Sequence, residues 1–165
     1  MNFEKFTAKA QEAVVVSQQW AIKLDQQQVD GEHLAMALVE QEEGLVPRIL
    51  WGLGVNPEDI ILELKKMLDA LPKVYGSGNS NVYATRKYNQ LLLSAEEIAK
   101  KMNDEYVSVE HLFLTLLDDK KSLTSQMLKN YGVTSETFKE AIAKIRGNQR
   151  VTTKNPEVDF MALEK

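Results

Sequence analysis

The sequence predicts an all-α fold built from two copies of a four-helix repeat. Three observations support this prediction. The tripeptide Glu32-His33-Leu34 recurs as Glu110-His111-Leu112, and the same offset aligns roughly sixty positions without a gap. Apolar residues recur at three- and four-residue spacing in both copies, as they do on one face of an α-helix. Cap residues and glycines, which mark helix starts and ends, occur in the same order in the two copies.

The first helix of each copy begins after Thr7 or Thr85, residues suited to an N-cap, and is about seventeen residues or roughly 25 Å long. The second helix begins after Asp30 or Ser108, which are again cap residues. The inner face of the first helix is apolar or small in both copies: Phe6, Ala10, Ala13, Val14, Ser17, Ala21 and Leu24 in the first, and Tyr88, Leu91, Leu92, Ala95, Ala99 and Met102 in the second.

The third helix is short and is predicted over residues 45–53 and 123–131. It ends at Gly54 or Gly132, where glycine adopts a left-handed backbone at little cost. The fourth helix opens at Asn56-Pro57-Glu58 in the first copy, where a cap side chain, a proline and an acidic residue follow one another. The equivalent segment of the second copy is Thr134-Ser135-Glu136.

These patterns predict a first repeat over residues 6–71 and a second over residues 83–146. The intervening residues 72–82 are rich in glycine, serine and asparagine and are expected to form a linker. Helical periodicity stops after Gly147, so we expect residues 148–165 to be a flexible linker that leads to a further module.

Composition excludes several functional classes. The net charge of −4 argues against a nucleic-acid or anionic-membrane partner, because both require a basic surface. The chain contains no cysteine, which excludes disulfide, thiolate-metal and cysteine-nucleophile chemistry. No apolar run approaches the length of a membrane span, so we expect a cytoplasmic protein without a membrane partner. A phosphate-binding glycine loop is also absent, and the chain is not expected to bind or hydrolyse ATP itself.

The two histidines, His33 and His111, occupy equivalent positions on the second helices. Neither has neighbouring ligands of the number and spacing that a metal site requires. We therefore predict a structural role, with each ring hydrogen-bonded between helices of its own repeat. The sequence predicts no catalytic residue and no metal ligand.

Among the polar residues that are identical in the two copies are Thr7 with Thr85, and Glu32 with Glu110. One interpretation is local, since threonine caps a helix and glutamate complements its positive N-terminus. In the other, each Thr/Glu pair, made of one threonine and one glutamate, frames one of two related surface sites. Several apolar residues exceed a single inner stripe and either pack between the repeats or form an exposed groove: Val15, Val16, Trp20, Ile22, Leu93, Ile98 and Trp51.

Several segments resemble the N-terminal domain of Clp-family AAA+ unfoldases. They are residues 1–7, 29–34, 45–50, 53–55 and 104–112. Residues 145–152, followed by Asn155-Pro156-Glu157 and residues 162–165, are similar to the passage that joins this domain to the first ATPase module in the disaggregase branch of the family.

The resemblance implies a double Clp-N motif, in which two repeats related by a pseudo-twofold axis pack as one domain over residues 1–147. It implies that the domain engages unfolded or aggregated polypeptides at the entrance of a homohexameric ring. ATP and magnesium would bind only in the parent's other modules, and the parent would work with the DnaK chaperone system in recovery from stress. The fragment itself is expected to be monomeric and to hold no cofactor.

Family positions linked to client binding match Thr7, Asp104 and Glu110, beside an apolar groove that includes Leu92 and Leu93. The resemblance therefore implies that these residues bind clients.

The protease-associated ClpC and ClpA branches suggest an alternative, an adaptor-docking or phosphoarginine-reading domain. Phosphoarginine sites in that branch fall at positions matching Thr7, Glu32, Thr85 and Glu110. Glu32 and Thr85 would then belong to a second polar site. A third hypothesis is a spacer whose repeats contribute only stability and ring geometry, and an enzyme is a distant fourth.

Overall fold

Eight α-helices form among the residues that the computed structural model describes, which are 3–75, 81–147, 149–157 and 160. The first repeat contains α1 (Ala8–Lys23), α2 (Gly31–Val39), α3 (Leu45–Gly52) and α4 (Pro57–Asp69). The second contains α5 (Arg86–Lys101), α6 (Val109–Asp118), α7 (Leu123–Asn130) and α8 (Ser135–Arg146). A 3₁₀ turn, Phe3–Lys5, precedes α1. The predicted all-α class and the duplicated four-helix order are confirmed.

The predicted local signals define the helix ends. The Thr7 hydroxyl accepts a hydrogen bond from the Ala10 N–H, and the Thr85 hydroxyl accepts one from the Tyr88 N–H. Each bond satisfies one of the N–H groups that a helix N-terminus leaves without a partner. Gly54 and Gly132 both have φ of +79°, the left-handed conformation that stops the third helix of each repeat.

Helices α2 and α6 form the centre of the molecule. Almost every residue of both helices is buried, which is typical of a helix surrounded on all sides by protein. Helix α1 packs on α2 within the first repeat and also contacts α6 of the second; α5 packs on α6 and also contacts α2. The contact between α3 and α8 is likewise mirrored by that between α7 and α4. The repeats are therefore related by a pseudo-twofold axis through one shared core.

Short extended segments join the repeats across this axis. Residues Gln28–Val29 (β1) pair in parallel with Tyr83–Ala84 (β2), and Phe6 forms the equivalent bridge with Val107. The N-terminal segment of each repeat thus pairs with the loop before the second helix of the other repeat. These strands are not predicted from the sequence, because two residues are too few to show an alternating pattern.

The additional apolar residues were expected either to pack inside the molecule or to be exposed, and both outcomes occur. Val16, Trp20 and Ile98 are partly buried against the core. Val15, Ile22, Trp51 and Leu93 are exposed, so they remain available at the surface.

Candidate functional site

A cluster of buried charged side chains lies where α6, α8 and the loop before α6 meet. The Arg146 guanidinium donates from Nε and Nη2 to Glu110 Oε2, at 3.0 and 2.6 Å, and from Nη1 to Asp104 Oδ2 at 2.9 Å. Asp104 Oδ2 also lies 2.7 Å from His111 Nε2. The Ser108 hydroxyl donates to Glu110 Oε1. We call Asp104, Glu110, His111 and Arg146 the charged cluster.

The arrangement of His111 follows from its position on the helix. Its Nδ1 accepts a hydrogen bond from the Ser108 N–H at 2.8 Å and completes a capping box at the start of α6. Because Nδ1 is an acceptor, the neutral ring carries its proton on Nε2 and donates it to Asp104. The ring therefore orients the Asp104 carboxylate between itself and Arg146.

Arg146 keeps both carboxylates of the charged cluster ionised. Burial alone would raise the pKa of Glu110, but the attraction of Arg146 and the hydrogen bond from Ser108 hold that pKa below its ordinary value. Burial likewise opposes ionisation of Asp104, whose pKa is nevertheless lowered by hydrogen bonds from His111 and the Val151 N–H and by Arg146. The positive charge of Arg146 is the feature on which the cluster depends.

The first repeat contains a neutral version of this arrangement. His33 again accepts from the backbone through Nδ1, here from Asp30, and lies 2.6 Å from Gln26 Oε1 through Nε2. Gln26 then donates to the Leu68 carbonyl at 2.7 Å. Under the repeat alignment Gln26 corresponds to Asp104, and Leu68 to Arg146. The first repeat therefore uses an amide and a carbonyl where the second uses ions.

Each histidine ring is hydrogen-bonded within its own repeat, as predicted, although the detail differs. Each ring joins a helix N-terminus to the preceding loop, whereas the sequence analysis expected a bond between two helices. No group of three or more potential metal ligands occurs among the described residues.

The positions assigned to client binding differ in accessibility. Thr7, Glu110 and Leu92 have 0%, 0% and 2% of their surface exposed, and Asp104 has 8%. Leu93, the next residue on α5, is 46% exposed. In this arrangement Arg146 and the C-terminal segment cover Thr7 and Glu110, so the role of these two residues in client binding stays a prediction.

The proposed second polar site is more open. Glu32 and Thr85 are both half-buried. Partial burial raises the pKa of the Glu32 carboxyl, and the nearby Lys87 charge opposes that rise. Lys87 itself forms an ion pair with Asp119, with Nζ and Oδ2 2.9 Å apart.

The C-terminal segment, meaning the described residues 149–157 and 160, packs against the domain. The sequence predicts a flexible linker here, yet Val151, Glu157 and Phe160 are each no more than 1% exposed. The Val151 N–H donates to Asp104 Oδ1 at 2.8 Å, and the Glu105 N–H donates to the Val151 carbonyl at 2.7 Å. The polar composition predicted disorder, but three buried residues hold the segment on the domain: the apolar Val151 and Phe160, and the hydrogen-bonded Glu157.

An open cleft of about 350 Å³ borders the covered residues. Helix α5 contributes Leu93, Glu96, Ala99 and Lys100 to it, and the loop before α6 contributes residues 104–107. Lys5 closes one side. The cleft therefore combines an apolar floor with charges of both signs at its edges, and it shares Asp104 with the charged cluster.

Arg146 and Glu157 are functional-site residues that were not predicted from the sequence. A signal for Arg146 was present, because the repeat alignment places this arginine opposite a buried apolar position, Leu68. A charge at a core position requires a partner of opposite sign, so it should have indicated that Asp104 and Glu110 lie inside. No comparable signal exists for Glu157, whose partners are about 50 and 150 residues away along the chain.

Comparisons with known proteins agree with this architecture. The family model of the Clp repeat (R) N-terminal domain matches residues 5–131. Chaperone protein ClpB of Clostridium tetani is 40% identical over 167 residues, covering 100% of this chain and 19% of that protein. Chaperone protein ClpB of Nitratidesulfovibrio vulgaris is 39% identical, again over 100% of this chain and 19% of that protein. The chain thus spans about a fifth of the length of these curated relatives.

Solved structures show the same fold. The Hsp104 N-terminal domain from Candida albicans superposes with a TM-score of 0.81 at 20% identity, covering 93% of this chain and 99% of that chain. The N-terminal domain of the ClpV1 ATPase from E. coli gives a TM-score of 0.74 at 17% identity, covering 92% and 93%. Among the described residues, no helix combines the length and apolar character needed to cross a membrane.

Proposed function

The chain belongs to the Clp repeat N-terminal domain family, and from this membership we propose that it is the client-binding domain of an ATP-dependent protein disaggregase. The observation that carries the proposal is the similarity of the whole chain to ClpB chaperones at 40% identity. The domain would engage unfolded or aggregated polypeptides and deliver them for threading. The parent would act in the cytoplasm with the DnaK system during recovery from stress.

The modules that perform the threading lie outside this chain. We propose that residues 148–165 lead to an AAA+ module that binds ATP and magnesium, and that the parent forms a homohexamer. The domain itself would remain a monomer and contribute binding rather than catalysis.

We place client contact in the cleft beside Leu93. An exposed leucine above an apolar floor suits the apolar side chains that an unfolded protein displays. Asp104 is within this cleft, but its carboxylate is engaged by Arg146 and His111. In this arrangement Asp104 and Glu110 would shape the loop that forms one wall of the cleft, and Leu92 would hold α5 in the core.

The structure gives less support to phosphoarginine binding at Glu110 than to client binding in the cleft. An external guanidinium would need the carboxylate that Arg146 already occupies from within the chain. Only Glu32 retains an accessible carboxyl, so an arginine-reading site would have to lie in the first repeat. A spacer role would leave the cleft unused.

Titration of the 165-residue chain with a permanently unfolded protein, followed by amide NMR shifts, tests client binding. We expect shifts at Lys5, Leu93 and Tyr106, with weak affinity of about −5 to −7 kcal/mol. Replacement of Leu93 by Asp should abolish binding. The matched control is Leu62→Asp, since Leu62 is also exposed but lies on α4 of the first repeat.

Two results would reject the proposal. One is the absence of shifts around Leu93 at near-millimolar client. The other is an equal loss of binding in the Leu93→Asp and Leu62→Asp chains, since that would show a general effect of added charge.

A further inference from the structure

The C-terminal segment supplies hydrogen-bond partners to the N-termini of two helices. The Ala8 N–H, at the start of α1, donates to the Lys154 carbonyl at 2.8 Å. The Val109 N–H, at the start of α6, donates to Glu157 Oε2 at 3.3 Å, and the Thr7 hydroxyl donates to the same oxygen at 2.6 Å. Such N–H groups have no partner within their own helix, and their dipoles attract a negative charge.

The segment is also held by an extended backbone and by apolar anchors. The peptide groups of Val151 bond to Asp104 and Glu105, and its side chain is 0% exposed. The Phe160 ring is buried with the Arg146 guanidinium 5.2 Å from its centre. Residues 152–155 between these anchors are exposed. The contact is therefore confined to a few points, as expected for a ligand that can leave.

We infer that this surface is a receptor for extended peptide segments that carry a carboxyl side chain, and that the C-terminal segment is its resident ligand and competes with clients. The features recognised are a small apolar residue, a carboxyl group six residues later at the Thr7 hydroxyl and the start of α6, and an aromatic ring three residues after that. The inference rests on the proposed function, because the covered residues Thr7, Asp104 and Glu110 are those that the family resemblance assigns to clients.

The chemistry of the carboxylate pocket supports an exchangeable contact. Thr7 and the Val109 N–H offer two donors to one oxygen, whereas the other oxygen, Glu157 Oε1, is buried without a hydrogen-bond partner. Burial and the neighbouring Glu110 charge raise the pKa of Glu157 to about 7. The resident carboxyl group is thus bound through one oxygen only, and a client segment could replace it.

The test uses the 165-residue chain and a fluorescein-labelled peptide that copies residues 149–160. The release variant is Val151→Asp, which places a charge at a buried anchor. The matched control is Thr152→Asp, which makes the same kind of change at an exposed neighbour. When a competing state masks a site, the apparent affinity equals the intrinsic affinity multiplied by the fraction of molecules in which the site is open. Fluorescence anisotropy should therefore show peptide binding about tenfold tighter for Val151→Asp than for the wild type or the control.

A second peptide with lysine in place of Glu157 tests recognition of the carboxylate. We expect it to bind the Val151→Asp chain at least about tenfold more weakly than the native peptide. Hydrogen exchange separates release from unfolding, because release exposes the Glu105 amide while the amides of α2 stay protected. Should exchange in α2 also rise, Glu157→Lys in the full chain serves as the second release variant.

Equal affinities of the wild-type, Val151→Asp and Thr152→Asp chains for the native peptide would overturn the inference, as would equal binding of the two peptides. A separate arm uses reduced, carboxymethylated α-lactalbumin as an unfolded client. Failure of every chain to bind it would reject the proposed function and, with it, competition between clients and the C-terminal segment. Tighter client binding by Val151→Asp alone would support both.

Discussion

Replacing Arg146 by methionine should destabilise the domain strongly. Methionine keeps an unbranched apolar side chain but removes the charged guanidinium, which donates three hydrogen bonds to Glu110 and Asp104. Both carboxylates would then be buried without a cation. Removing one partner of a buried ion pair costs about 3–5 kcal/mol. Because the free energy of unfolding of a domain is typically only about 5–15 kcal/mol, this loss would remove a large part of its stability.

The cost should depend on pH in a defined direction. In the wild type Arg146 lowers the pKa values of Asp104 and Glu110, so their stabilisation is present above the ordinary pKa and is lost as pH falls through the lowered folded-state values. Without Arg146, burial raises both pKa values instead. The deficit of the variant should therefore be largest at neutral pH and shrink as the solution is acidified toward pH ~4, where the unpaired carboxyls become protonated.

Urea unfolding at pH 7 and at acidic pH measures both effects. The control is Lys144→Met, which removes the same charge from an exposed position of α8 and should change stability by no more than about 0.5 kcal/mol. Adding Glu110→Gln to Arg146→Met should restore about 1 kcal/mol or more, because one buried charge disappears. A loss below about 1 kcal/mol for Arg146→Met would refute the idea that this charge supports the cluster.

Three further outcomes are expected. The pKa of Glu157 is about 7 when the C-terminal segment is docked, against 4.5 ordinarily, so docking is strongest below pH 4.5 and weakens by roughly 3 kcal/mol as pH rises to 7. Exchange of the Glu105 amide, corrected for its intrinsic rate, should accelerate over that range in the wild type but not in Glu157→Gln; protection that grows with pH would contradict this. Ser17→Ala removes the 2.6 Å hydrogen bond from α1 to the buried tyrosine of α5 and should cost about 1–3 kcal/mol in thermal unfolding, whereas an unchanged melting temperature would show that the bond is replaceable. The pKa of His33 is lowered by burial, so its ring should titrate below 6.5 by NMR, and a midpoint above 6.5 would be inconsistent with the buried ring.

The helices could be predicted because their signals are local. Thr7, Thr85 and Gly54 act through bonds or dihedral angles within a few residues, and the observed helices begin and end within one or two residues of the predicted positions. The duplication strengthened each assignment, since every start and stop signal occurs twice.

The candidate site could be predicted only in part, because its geometry depends on distant residues. Cap patterns correctly indicated Thr7, but they could not show that Glu157 bonds to the same side chain. Likewise, the identity of Glu32 and Glu110 suggested two equivalent sites. The difference lies at Arg146, which pairs with Glu110 in one repeat and has only Leu68 as its counterpart in the other.

The exchange of short strands across the pseudo-twofold axis affects how far the amino-acid sequences of the two halves can diverge. Because Phe6 bridges to Val107 and β1 pairs with β2, neither half completes its own backbone pairing, and the halves are expected to unfold together. In a homodimer of identical four-helix units, any substitution would appear on both sides of such an axis. Covalent fusion removes that constraint: one half can hold an arginine between two carboxylates while the other keeps a neutral glutamine, within a frame that stays symmetric.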